Sequence, residues 1–136
     1  MKIFIDAPLL IYLNTLTNSR YRTTYENFYI EILIKYKPYT DVLVLNELIY
    51  ISRKKYNIPY KVSIKFIEAN ILPYTTILNL GEEEYNYATE LINKHNLKPS
   101  DALHIGAMMN NNIKVLVSED REFDRIPEVE RIWIEQ

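Results

Sequence analysis

Four acidic residues recur where an apolar run gives way to a helix or a turn. Asp6 closes Lys2-Ile3-Phe4-Ile5, Glu47 follows Val42-Leu43-Val44-Leu45, Asp101 opens the run beginning Ala102-Leu103, and Asp120 comes shortly after Val115-Leu116-Val117. Carboxylates next to apolar sequence belong at the edge of a core. Several gathered there repel one another and hold their pKa values up unless a cation neutralises them. The donors in this set are all oxygens and the chain has no cysteine, so the matching ion is a hard one, Mg2+ or Mn2+. Taken singly, each acid is more often a helix cap or a surface charge; the conjunction points to a site. The lack of cysteine also excludes disulfides, thiol catalysis and cysteine-ligated zinc.

The elements that must position these acids alternate between strand and helix patterns. Lys2-Ile3-Phe4-Ile5 reads as a buried strand, and Pro8 opens a helix with Leu9, Leu10, Tyr12, Leu13 and Leu16 on its apolar face. Residues 23–37 show helical spacing through Tyr25, Phe28, Tyr29, Ile32, Leu33 and Tyr36, with Pro38 as the stop. Val42-Leu43-Val44-Leu45 fits a strand or the start of a helix, and periodicity does not separate the two over four residues. Asn46 or Glu47 then begins a helix to about Tyr56, and Pro59 begins another through Ile71. A strand is expected over 75–80, a helix from the acidic turn Glu82-Glu83-Glu84 to His95, and a further helix from Pro99, with Ser100 as its cap. Val115-Leu116-Val117 and Arg131-Ile132-Trp133-Ile134 supply the last strands. This order predicts an α/β fold, a three-layer α/β/α sandwich around a mostly parallel sheet of about five strands, in one domain over 1–136.

The same acids carry a family resemblance. Phe4-Ile5-Asp6, Leu45-Asn46-Glu47-Leu48, Ser100-Asp101-Ala102-Leu103-His104 and Leu116-Val117-Ser118-Glu119-Asp120-Arg121-Glu122-Phe123-Asp124-Arg125-Ile126 resemble the successive motifs of the PIN-domain nucleases, and most closely the VapC-type toxins of toxin–antitoxin pairs. The similarity runs from Met1 to about Trp133, and the last motif is its most specific part. The resemblance implies that Asp6, Glu47, Asp101 and Asp120 are the catalytic, metal-binding acids, with Asp124 a variable fifth and Ser118 fixing a carboxylate or a water. It implies Mg2+- or Mn2+-dependent hydrolysis of RNA phosphodiesters, a cognate antitoxin protein as partner, and a homodimer. Ala7-Pro8 departs from the polar pair usual after the first acid. That puts metal affinity in question and keeps open a catalytically silent scaffold binding RNA or protein, beside an RNA-processing nuclease without an antitoxin.

Metal-assisted hydrolysis needs no side-chain nucleophile, because the cation acidifies water and a second ion can stabilise the leaving oxygen. His104 lies three residues after Asp101 on the same helical face, yet its apolar neighbours favour a packing residue over a ligand. His95, near a helix end, suits a dipole partner. Arg53-Lys54-Lys55 is a candidate RNA-binding segment, with a solvated helix face as the equal alternative. The net charge of −2 conceals an uneven chain: residues 1–80 carry 10 basic and 6 acidic side chains, and residues 81–136 carry 6 and 12. The chain has 12 tyrosines, and those at helical spacing, such as Tyr25, Tyr29 and Tyr36, are expected mostly in the core or at a dimer surface, with base stacking the lesser reading.

Two other uses of an acid after a first strand fit less well. An aspartyl-nucleophile phosphohydrolase wants a second acid where Pro8 stands, and a receiver module wants a lysine after the late strand, which Lys114 instead precedes. No apolar run approaches ~20 residues, and Asp6 interrupts any leader-like stretch, so the expected location is cytoplasmic, away from membrane.

Overall fold

In the computed structural model, which describes residues 1–134, five strands form one parallel sheet in the order β3-β2-β1-β4-β5. The last two residues of the expected 1–136 domain lie outside the described ones. The strands are β1 (Lys2–Ile5), β2 (Lys37–Asp41), β3 (Thr76–Leu78), β4 (Val115–Val117) and β5 (Glu130–Ile132). β1 is central, with Phe4 beside Tyr39 of β2 and Leu116 of β4. Its near-continuous apolar run is what a strand covered on both faces requires.

Six α-helices connect the strands: α1 (Ala7–Thr15), α2 (Ser19–Lys35), α3 (Val42–Tyr56), α4 (Tyr60–Asn70), α5 (Glu82–His95) and α6 (Pro99–Asn110). The sheet grows from β1 through β2 to β3 and then reverses to β4. Right-handed crossovers therefore put α1–α4 on one face and α5 with α6 on the other. Packing agrees, since α1 lies against α2 and α3, α3 against α4, and α5 against α6. The Asn14 amide donates to Ser52 Oγ (2.9 Å) and Ser63 Oγ (2.8 Å), which pins α1, α3 and α4 through two fully buried serines. On the other face Gly106 lets the helices close: a Cβ there would lie 2.7 Å from the Glu84 carbonyl oxygen. Tyr29 is buried, and Tyr25 and Tyr36 pack against the core from partly exposed positions.

Three local expectations are corrected. Pro38 does not terminate a helix. α2 ends at Lys35, and Pro38 lies within β2, in the stretch before β3 joins it, where one flank of the strand has no partner to lose. Val42-Leu43-Val44-Leu45 is the first turn of α3 and not a strand, so neither Asn46 nor Glu47 begins that helix. Its cap is Asp41, whose Oδ1 accepts from the Val44 N–H at 2.9 Å. Ser100 lies inside the first turn of α6, after Pro99, and the cap position belongs to Lys98.

Because every strand is parallel, the carboxyl ends of β1, β2 and β4 share one edge of the sheet. The order reverses between β1 and β4, and a crevice outside that point is where α/β folds place ligands.

Candidate metal centre

Asp6 sits at this reversal point as both the residue after β1 and the cap of α1. Its Oδ1 accepts from the Ala7 N–H (2.9 Å) and its Oδ2 from the Ser118 hydroxyl (2.8 Å), with the carboxylate buried at 5% exposure. The backbone N–H of Ala7 thus holds the carboxylate directly, although its methyl side chain offers no hydrogen bond. Ser118, just past β4, also accepts from the Asp120 N–H at 3.2 Å. One hydroxyl therefore ties the first acid to the loop that carries the last. Asp120 caps the short 3-10 helix Arg121–Arg125 through the Glu122 N–H (2.9 Å).

Glu47 reaches the crevice from the second turn of α3, Asp101 from the first turn of α6, and His104 from one turn further on. One ligand atom each of Asp6, Glu47 and His104 lies within 4.8 Å of the others. His104 is 1% exposed, and its Nδ1 stands 2.6 Å from Asp41 Oδ2, itself fully buried. Its Nε2 has no hydrogen-bond partner among the described residues.

The electrostatics are those of crowded carboxylates. Asp101 is pushed up to about 6, by burial first and then by the Asp6 charge, with Asp120 adding while His104 and Lys98 oppose. Glu47 is also raised, by burial and then by Asp6 and Asp41 against the relief from His104. Burial works to lower His104, but the Asp41 hydrogen bond and the charges of Asp41, Asp6 and Asp101 outweigh it, and the net direction is up. The Asp101 and Glu47 carboxyls held toward their protonated forms, beside an orphaned imidazole nitrogen, fit a divalent cation.

This crowding gives a pH signature. A carboxyl whose native pKa exceeds its unfolded value binds its proton more tightly when folded, so metal-free protein should lose stability as pH rises from about 4 to about 6 and stay at the lower level above. Asp101→Asn should remove its share. In chelator, the variant's urea midpoint is expected above wild type at pH 7 and level with it at pH 4. Discounted for partial exposure, the gap at pH 7 is about 1–2 kcal/mol. A gap that does not change with pH would place Asp101 away from the other charges.

Asp124 is engaged by Arg131, with Oδ1 2.8 Å from Nε and Oδ2 3.0 Å from Nη2, so its oxygens serve an ion pair that fastens the 3-10 helix to β5. That placement does not support a fifth ligand. His95 Nε2 stands 3.4 Å from Glu128 at the end of α5, outside the cluster. Arg53, Lys54 and Lys55 are exposed in the last turn of α3, on the helix that carries Glu47. Asp41 escaped the sequence reading. The signal for it was an acid directly before a helix, hidden because the next four residues also suit a strand.

Similar proteins share this arrangement of elements. The structure of VapBC2 from Rickettsia felis, bound to a DNA fragment from their promoter, matches with a TM-score of 0.73 at 19% identity, covering 98% of each chain. VapC20 from Mycobacterium tuberculosis, described as a sarcin-ricin loop cleaving toxin, matches with a TM-score of 0.74 at 15% identity over 92% of this chain and 95% of that one. VapBC-1 from nontypeable Haemophilus influenzae gives 0.70 at 20% identity over 97% of each chain. At such identities the likeness establishes the fold. No curated protein matches the sequence significantly. The PIN domain family model matches residues 3–129, and the chain belongs to that family.

Proposed function

We propose that this chain, a single PIN domain over 1–136, is a metal-dependent endoribonuclease and the toxin of a type II toxin–antitoxin pair. The observation that carries the reading is the convergence of Asp6 and Glu47 with His104, within 4.8 Å, at the sheet's reversal point, with Asp101 and Asp120 alongside. What a bound Mg2+ or Mn2+ supplies there is Lewis acidity toward a phosphate and a water acidified toward neutral pH. Asp6, Asp101 and Asp120 would hold the ion, and Glu47 would complete the site or orient the attacking water. Ser118 keeps the Asp6 carboxylate turned to the crevice. Arg53, Lys54 and Lys55 track the RNA backbone beside it.

An antitoxin partner is supported by the matching structures, several of which are toxin–antitoxin complexes. A homodimer is supported by exposed apolar side chains, among them Ile30 and Ile34 on α2 and Val62 and Ile64 on α4. No helix among the described residues is long and apolar enough to cross a membrane, which is compatible with a cytoplasmic site of action. Untagged protein incubated with total RNA should cleave in Mn2+ or Mg2+ and stop in chelator. Chelator-resistant cleavage would count against the mechanism, and no cleavage under any condition would favour the silent scaffold.

A further inference from the structure

The two ring nitrogens of His104 meet different surroundings. Nδ1 is fixed by Asp41 at 2.6 Å, whereas Nε2 is buried without a hydrogen-bond partner among the described residues. An orphaned buried polar atom is costly to a fold and calls for a reason. Packing explains the ring's place, since it lies 5.6 Å from the Phe4 ring between centroids, but packing does not explain the bare nitrogen. The ring offers a ligand atom within 4.8 Å of those of Asp6 and Glu47. Donors around one small divalent ion stand up to about 4.2 Å apart across it, so a slight closure brings all three onto a single ion.

We infer that His104 is a nitrogen ligand to the cation of this site and that Asp41 is the residue positioning its ring. The inference rests on the proposal that the carboxylate cluster holds a divalent cation. Metal-ligating histidines donate their other N–H to a carboxylate or carbonyl, which fixes the tautomer and raises ligand basicity. Asp41 supplies that partner from a fully buried position. Its second oxygen is committed to the Val44 N–H, so carboxylate and ring are both held in place. Glu47 is the exposed member of the three and gives an ion its route in. The consequence is selectivity: an imidazole donor suits transition ions, while Mg2+ prefers oxygen donors and retained waters. The site should therefore take Mn2+ in preference to Mg2+.

The test uses untagged protein with Mn2+ and no RNA. Pulsed electron paramagnetic resonance of the Mn2+-loaded protein is expected to show nitrogen-14 coupling from an imidazole. The chain has two histidines, so His95→Gln should keep the signal and His104→Asn should lose it. Calorimetric titration should show Mn2+ bound more tightly than Mg2+ in wild type, with the preference collapsing in His104→Asn. Asp41→Asn guards against a variant that fails to fold, since it preserves shape; it should weaken Mn2+ binding about 10–100-fold and retain the coupling. Stoichiometrically bound Mn2+ without nitrogen coupling in wild type overturns the inference, and so does a chain that binds no Mn2+. RNA cleavage is scored separately. Nitrogen-coupled Mn2+ in a protein that cuts no RNA overturns the nuclease reading alone, and cleavage by a protein whose Mn2+ sees only oxygen overturns this inference alone.

Discussion

Asp101→Asn should lower RNA cleavage by at least ~10²-fold, more than the loss expected from removing a residue that only orients a metal ligand, while the chain stays folded. Asn keeps the size and shape of the side chain in the first turn of α6, so helix and packing are undisturbed. What goes is one negative charge at a position where burial first, and then the Asp6 charge, already hold the carboxyl up to about 6. Without a cation that charge is a burden, and on the proposed function a cation turns it into a ligand. Metal and variant should therefore act on stability in opposite senses: the metal-free variant melts at or above wild type, and Mn2+ raises the wild-type midpoint further than the variant's. Single-turnover cleavage and melting with and without Mn2+ check both halves. Equal metal-induced shifts in the two proteins would remove Asp101 from the ligand set, whatever the cleavage rate.

The sheet and most helices were legible because their signals are long or doubly marked. Lys2-Ile3-Phe4-Ile5 ends in an acid, α1 starts at a proline, and α5 opens on three glutamates; the structure places β1, α1 and α5 there. The failures cluster between residues 36 and 46, where the mixed segment Lys37–Asp41 and the apolar run Val42–Leu45 compete for one strand. The ladder to β1 selects Lys37–Asp41, proline included, because its register sets Tyr39 beside Phe4 while Asp41 caps the following helix. That choice also decides the site. If the strand covers 42–45, Asp41 is a loop residue; with the strand ending at 41, it is buried at the carboxyl edge within reach of His104. The apolar neighbours of His104 correctly signalled burial. They could not signal which way the second nitrogen faces, because that depends on a partner 63 residues away.

Reversing charge at Lys54 and Lys55 to Glu is expected to weaken RNA binding by ~10–100-fold at low salt and to flatten its salt dependence. Lys54 is seven residues beyond Glu47, on the same stripe of α3 and about 10 Å along the axis, so a backbone leaving the carboxylate crevice along this helix would meet it. Both lysines are exposed, and Lys54 Nζ stands 5.5 Å from the Tyr50 ring centroid, which steadies the side chain over the helix surface. Each single-strand phosphate contact contributes about 0.7 to the slope of log affinity against log salt, so losing both should reduce it by about 1.4. Arg53 is better left alone, because its Nη1 donates at 2.5 Å to Oδ1 of Asn57, the left-handed residue that ends the helix. The competing account is that three basic residues in a last turn merely complement the helix dipole. In that case charge reversal lowers the melting temperature slightly and leaves RNA affinity where it was. Fluorescence anisotropy across a salt series, in an Asp101→Asn background that keeps the RNA intact, separates the two. Unchanged affinity with an unchanged slope would take the segment off the RNA path and leave the basic excess of residues 1–80 without a role in substrate binding.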